Sequence, residues 1–348
     1  MSELLGEVTV PSGTLLVVDC GLLPLWSDDR PPLVPEGILD PDHMAAANAG
    51  SDFELIGPDA ERAGLAFGSQ PDPRFLYDVP AGWEGKLTEL FRQTLSEKAL
   101  DADLRPLPAR VPHRTRLERA LEHGLGAGSV FFHGLTAVGV QGLPRDRPLE
   151  LRGERVAEGV FAGLWEHVEL RLRPGAAACR LERAGFVAVD WSRILFGDLD
   201  ALRSWNHDEP RDGLADCVFW GLHGEELARL TKAPALEGDT FGWLDQPVEV
   251  AVKRCVEVER LRDRRGLRAA CDFRPHSDHY AILGQIRATP TESGTVEVGG
   301  AEMCGFNTTW GDGFFPVLRV YEDSELVAVR VHLATEAAEE AMRQVNGL

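Results

Sequence analysis

Long apolar runs are missing: nowhere in the 348 residues do the roughly 18 to 20 consecutive apolar positions of a membrane-spanning helix occur. Positive charge is scarce as well. Lys and Arg total 36 against 56 Asp and Glu, which leaves a formal net charge of -20. A chain so anionic repels phosphates and acidic headgroups, which argues against sequence-independent nucleic-acid binding and against docking on an anionic membrane. Lysine is nearly absent, with only Lys86, Lys98, Lys232 and Lys253, so almost every cation is Arg. Together with abundant Ala, Leu and Gly, this reflects the codon supply of a GC-rich bacterial genome. Met1 to Glu7 carries acidic residues where a secretory leader would be positive, and Val8 to Val10 is too short for its apolar region; a cytoplasmic protein is expected.

Cysteine is sparse and scattered. The six residues (Cys20, Cys179, Cys217, Cys255, Cys271 and Cys304) contain no Cys-x-x-Cys pair. In a reducing compartment they read as small buried hydrophobes and signal neither a disulfide frame nor a structural zinc site. Also lacking are a His-Glu-x-x-His motif, a Gly-x-Ser-x-Gly elbow and a kinase signature. Gly124-Leu125-Gly126-Ala127-Gly128 follows a helical pattern, whereas a phosphate loop precedes one, so it is set aside. No motif names a cofactor.

Apolar residues make up 44% and charged residues 26%, which excludes wholesale disorder and permits a packed core. Thr14 to Asp19 reads as a strand covered on both faces. Trp26 to about Pro73 is rich in Pro, Asp and Gly and predicts only short elements. Helices are expected over Thr88 to Ala99 and from Thr115, with Glu118 completing a capping box and Gly124 as the stop. Strands follow at Ser129 to His133 and Thr136 to Val140, where His133 reads as a satisfied core residue.

The Pro144 to Pro148 break places a boundary near residue 155, giving α+β domains over 1–155 and 156–348. In the second, Val168, Leu170 and Leu172 alternate with Glu169, Arg171 and Arg173, the period of a half-buried antiparallel strand. Further strands are expected at Ala178 to Leu181, Phe186 to Val189, Cys217 to Trp220, Tyr280 to Ile286, Thr295 to Val298, Phe314 to Val320 and Leu326 to Leu333. A helix is expected over Pro247 to Leu261, capped by Asp245, with others ending near Trp205, around Glu225 to Leu230 and over Thr335 to Val345. The fold class is α+β, mostly antiparallel sheets with a few flanking helices.

The densest polar constellation is Arg274-Pro275-His276-Ser277-Asp278-His279. His276, Asp278 and His279 are candidate metal ligands, since imidazole with carboxylate suits zinc, iron or manganese; His276 and His279 alternatively supply acid–base catalysis. Arg274 is a candidate for gripping an anionic group. The structural alternative is a polar loop leading into the Tyr280 strand. Asp312, flanked by Gly311 and Gly313, is a candidate catalytic or orienting carboxylate beside Trp310, a candidate ligand-binding residue; the alternative is ordinary turn chemistry. His207 is a third candidate ligand-binding residue, with a solvated loop as its alternative.

Gly311-Asp312-Gly313-Phe314-Phe315-Pro316-Val317, followed by a hairpin ending in Val327 to Leu333, resembles bacterial domain-of-unknown-function family 4241. Pro11-Ser12-Gly13-Thr14 leading to Val17-Val18-Asp19 is similar to that family's opening strand, and Asp239 to Asp245 to its central segment before a helix. The long region between residues 20 and 155 departs from the family pattern. The resemblance implies a bacterial, cytoplasmic, β-rich protein related to genes found near toxin and immunity systems, and it carries over no catalytic residues.

Two functional expectations follow. The first is an acidic cytoplasmic binding protein, immunity-type or regulatory, that recognises a basic protein partner. The second is a small-molecule enzyme, metal-dependent, using the His276, Asp278 and His279 loop with Asp312.

Overall fold

The computed structural model describes residues 2–35, 40–67, 72–133, 135–175 and 180–346; Ala178 and Cys179, expected to begin a strand, lie outside them. In chain order the strands are β1 (Glu3–Val8), β2 (Thr14–Asp19), β3 (Ser51–Ile56), β4 (Phe75–Val79), β5 (Asp103–Pro106), β6 (Ala127–Phe132), β7 (Leu135–Gln141), β8 (Leu149–Arg155) and β9 (Trp165–Arg171). They continue as β10 (Arg180–Val189), β11 (Arg193–Asp198), β12 (Leu214–Trp220), β13 (Thr240–Pro247), β14 (Ala270–Pro275), β15 (Ser293–Val298), β16 (Ala301–Asn307), β17 (Gly313–Glu322) and β18 (Glu325–His332). The α-helices are α1 (Pro41–Asn48), α2 (Ala60–Phe67), α3 (Glu84–Lys98), α4 (His113–His123), α5 (Gly224–Thr231), α6 (Val248–Arg265), α7 (Asp278–Ala288) and α8 (Glu336–Asn346). The strands form four antiparallel sheets, so the fold is α+β as expected.

Two compact units result, Met1–Ser204 with Gln285–Leu348, and Trp205–Gly284. The division expected near residue 155 instead falls inside the β8–β9 hairpin, where Leu151 pairs with Leu170 and Gly153 with Val168. The proline-rich break at 144–148 is a loop between sheets and not a linker between domains.

In the first unit, two six-stranded sheets share one apolar core, ordered β1-β8-β9-β18-β17-β10 and β15-β16-β11-β2-β7-β6. Val168, Leu170 and Leu172 enter that core, while Glu169 turns away to pair with Arg171 and Arg330, the alternation read from sequence. β2 is buried along its whole length between β11 and β7. The expected pair of strands before Val189 is a single strand, β10, paired with β17 across a bulge at Arg183 and Gly185.

Residues 41–106 carry more structure than their composition predicts. A third sheet, β4-β3-β5, packs Phe53, Leu55, Leu76 and Val79 against Ala63 of α2 and Phe91 of α3. Its strands are short, and buried Asp52 interrupts the apolar period that would have announced β3. Gly64 lets α2 approach the chain at Pro73: a Cβ there would stand 1.5 Å from the Pro73 carbonyl oxygen, so only glycine is admitted. α4 begins at His113 after Pro112, which leaves Thr115 inside the helix and not at its cap.

The second unit is the sheet β13-β12-β14 with α5 and α6 packed around Phe219, Leu227, Ala228 and Val258. α6 starts at Val248, because Gln246 and Pro247 still pair with Ala215 and Leu214 of β12. Asp245 therefore lies in β13 and caps nothing. Gly266, at φ 64, closes the helix as a left-handed C-terminal residue. The strand expected over Tyr280 to Ile286 is the helix α7. Ser277 Oγ accepts the Tyr280 N–H at its start, and Ile282, Leu283 and Ile286 are buried at helical spacing.

Candidate functional site

His276 stands at the end of β14, where its own N–H donates to the Leu214 carbonyl and its carbonyl accepts the Arg211 N–H. Between Ala215 and Cys217 the β12–β13 register slips by a bulge, the device that commonly re-aims side chains. The slip sets Asp216 against Asp245, whose φ of 52 is left-handed, and Asp216 Oδ1 accepts the Asp245 N–H at 2.9 Å. The imidazole is then held from both sides. Nδ1 lies 2.8 Å from Asp212 Oδ2, while Nε2 lies 3.2 Å from Asp216 Oδ1 and 3.7 Å from Asp245 Oδ1. Partial burial pulls the ring toward neutrality, but the bonds to Asp212 and Asp216 outweigh it, and its pKa is raised above the usual histidine value. Asp212 is in turn held below the ordinary carboxylate range by that imidazole and by the Leu214 N–H.

The metal set expected from sequence is thereby corrected. His276 does not gather with Asp278 and His279. Asp278, 1% exposed, opens α7: Oδ2 accepts the Asn206 N–H at 2.8 Å and Oδ1 pairs with Arg211 at 2.6 Å. Burial nevertheless pushes its carboxyl up. His279 is buried and stacks on His207, ring centroids 3.9 Å apart, and Trp205 Nε1 donates to His207 Nδ1. Ser277 Oγ donates to the His207 carbonyl, so His207 packs with the His279 side of the segment. Arg274, read as an anion grip, is engaged by Asp272 Oδ2 at 2.8 Å and lies over the Trp220 ring.

In the first unit, the Gly-Asp-Gly carboxylate closes a turn. Asp312 Oδ1 accepts both the N–H and the hydroxyl of Ser192, at 2.9 and 2.8 Å. Trp310 is buried and donates from Nε1 to the Trp165 carbonyl at 2.6 Å. Both have structural partners of their own, as the turn reading of that segment anticipates.

A second polar cluster, also in the first unit, was not visible in the sequence. Asp78 of β4 receives Arg110 and Arg116, and its Oδ2 also accepts the His133 N–H at 2.9 Å. His113 and His133 meet edge to face beside it, ring centroids 5.5 Å apart, and neither Nε2 has a partner. The reading of His133 as a satisfied core residue is corrected: it lies at φ 48 with an orphaned ring nitrogen. Although Asp78, His113 and His133 have a metal-like ligand composition, His113 Nδ1 accepts the Ser27 N–H. That tautomer puts the proton on Nε2, where a metal would need the lone pair. Asp78 is moreover already saturated by guanidinium groups.

What the sequence could not show at the His276 site is convergence. Asp212 and Asp216 stand 64 and 60 residues before the histidine. Their four-residue spacing around the start of β12, ahead of buried Cys217 to Phe219, is the only local sign. No family model, no curated protein and no solved structure matches the chain, so its site is defined by geometry alone.

Proposed function

We propose that the protein binds a divalent metal ion between His276 Nε2 and the carboxylates of Asp216 and Asp245, and uses it on a small oxygen-bearing molecule. One observation carries the reading. Bonds of about 2.0–2.2 Å to a common ion set ligand atoms roughly 3.0–3.6 Å apart; the Nε2 to Asp216 distance of 3.2 Å falls within that span and the Nε2 to Asp245 distance of 3.7 Å just beyond it. Asp212 holds the proton on Nδ1, as an outer carboxylate does in metal-bound histidines, so the ion displaces only the proton that Nε2 shares with Asp216. Two carboxylates with one imidazole suit zinc, manganese or iron(II), and leave coordination positions open for water or a carbonyl or phosphoryl oxygen.

The test is a titration with Mn(II), followed by calorimetry and by loss of the free-ion electron paramagnetic resonance signal. One equivalent is expected to bind to the intact chain. His276→Gln should abolish binding, and Asp212→Asn should weaken it by about 10–100-fold. Equal affinity in an Asp216→Asn, Asp245→Asn double variant would sink the assignment.

The net charge of -20 supports a second reading, an acidic binding protein of the immunity or regulatory kind that recognises a basic protein partner. Electrostatic recognition acts mostly on the association rate and is screened over about 10 Å at 0.1 M salt. The association rate with a basic partner encoded beside this chain should therefore fall steeply with ionic strength in a surface-plasmon measurement. A salt-indifferent rate would remove the charge from the explanation.

A further inference from the structure

Three of the described cysteines converge in the second unit, from elements far apart in the chain. Cys217 is on β12, Cys271 on β14 and Cys255 on α6. In the β12–β14 ladder Cys217 faces Phe273 and Phe219 faces Cys271. Cys217 and Cys271 are therefore diagonal neighbours on one face of the sheet. α6 packs on this sheet and delivers Cys255, whose Sγ lies 3.9 Å from the Asp272 carbonyl. All three sulfurs lie within 4.8 Å of one another. Cys217 is fully buried, Cys255 is 7% exposed, and Cys271 is half-buried at the rim.

Such a group differs from cysteines used as small hydrophobes. Cys20 and Cys304 show that use: each is buried, outside the trio, with its thiol pushed up to about 12 chiefly by desolvation. In the trio, by contrast, three sulfurs brought from two strands and a helix face one another. Arg262 favours the Cys271 thiolate and Arg254 favours charge on Cys217. Three soft sulfurs thus converge beside cationic side chains, with Cys271 partly exposed.

We propose that Cys217, Cys255 and Cys271 form a three-thiolate site for a soft d10 cation, Zn(II) or Cu(I), separate from the His276 cluster. Thiolate ligands select these ions over harder ones. With Zn(II), three protein sulfurs leave a fourth position for water on the exposed Cys271 side. The exchange balances as one metal ion in and one proton out for each thiol that becomes a bound thiolate. No redox change is required.

The experiment uses the full chain, reduced and handled without oxygen. Cd(II) serves as the visible zinc-class probe, because thiolate–Cd(II) charge-transfer absorption counts the sulfurs bound, and Cu(I) is delivered from a chromophoric chelator. One equivalent of either ion should bind, protons should be released as Cd(II) is added in weakly buffered solution, and Cys271 should become resistant to iodoacetamide. Cys271→Ser, at the half-buried rim where folding is least at risk, should lower affinity by at least about 10-fold. Cys304→Ala should leave the absorption unchanged, and so should His276→Gln, which separates this site from the carboxylate one. Absence of the charge-transfer band at saturating Cd(II) would overturn the proposal. So would an unaltered band in Cys271→Ser, or the finding that the trio holds a disulfide (two mass units lighter) under reducing conditions.

Discussion

Arg116→Met is expected to destabilise the chain by about 3–5 kcal/mol, the cost of stripping one partner from a buried ion pair. All five guanidinium N–H groups are used. Nε donates to the Val111 carbonyl, Nη1 to Asp78 Oδ2 and the Phe131 carbonyl, and Nη2 to Asp78 Oδ1 and Asp52 Oδ2, with the Tyr77 ring 4.3 Å beneath. The side chain is 1% exposed and that of Asp52 is 0% exposed. Methionine would fill much of the volume while leaving Asp52 without its cation and Asp78 with Arg110 alone, and burial already pushes Asp52 upward even with Arg116 present. Because Asp52 sits on β3, Asp78 on β4, Arg116 on α4 and Phe131 on β6, the loss should loosen the β4-β3-β5 sheet first. Urea denaturation measures the total, and limited proteolysis should begin within residues 41–106. An Asp52→Asn, Arg116→Met double variant should recover part of the loss, since one orphaned charge is removed. A single-variant effect under about 1 kcal/mol would mean that water reaches the cluster.

The second large effect is expected in acid. Burial, then Arg116, holds His113 far below the usual histidine value. His133 is lowered to about 4, again chiefly by burial, with Arg110 and Arg116 adding to it and Asp78 opposing. Both rings are therefore neutral in the folded chain at pH values where the unfolded chain, near 6.5, takes up protons. Stability from this source is complete above about 6.5 and falls as the pH drops toward 4, by about 3 kcal/mol for His133. Asp19 works in the opposite direction. Desolvation raises its carboxyl to about 6 even though Gly21, Asp190 and Trp191 donate N–H groups to it, so its contribution is complete below about 4 and fades as the pH rises through 6. Wild-type stability in this range is a difference between the two. His133→Asn keeps a residue that tolerates φ 48 and should flatten the acid limb by about 3 kcal/mol in urea midpoints taken from pH 7.5 to 4.5, whereas Asp19→Asn should flatten the opposing one. Identical pH slopes in wild type and His133→Asn would rule out the neutral-imidazole account.

Periodicity announced those elements in which one kind of contact dominates. β2 is apolar because both of its faces are covered, β9 alternates because one face meets arginines, and β17 and β18 turn into one another at Asp323-Ser324. Where buried polar residues interrupt the pattern, it failed. Asp52 broke β3, and α7 carries four aliphatic or aromatic residues in its first turns, Tyr280, Ala281, Ile282 and Leu283, which read equally well as a strand until Ser277 is seen at the cap. The site was half legible. His276 stood out by its neighbours in sequence, but its partners Asp212, Asp216 and Asp245 arrive through β12 and β13, and only the ladder with its bulge brings them together. The three cysteines have no common spacing for the same reason: each comes from a different element of one small sheet-and-helix unit.

Sheet order has a consequence for synthesis. In β1-β8-β9-β18-β17-β10, the last two strands of the chain sit between β9 and β10, which are made some 140 residues earlier, as the Arg180 to Tyr321 pairing shows. Until Gly313–His332 has left the ribosome, β9 and β10 each present an open edge able to recruit strands from neighbouring nascent chains. The Trp205–Gly284 unit, whose strands and helices are contiguous in sequence, meets no such delay. Translation thus imposes an order, the Trp205–Gly284 unit first and the two six-stranded sheets last, and a stalled or shortened message would leave the adhesive half-sheet behind.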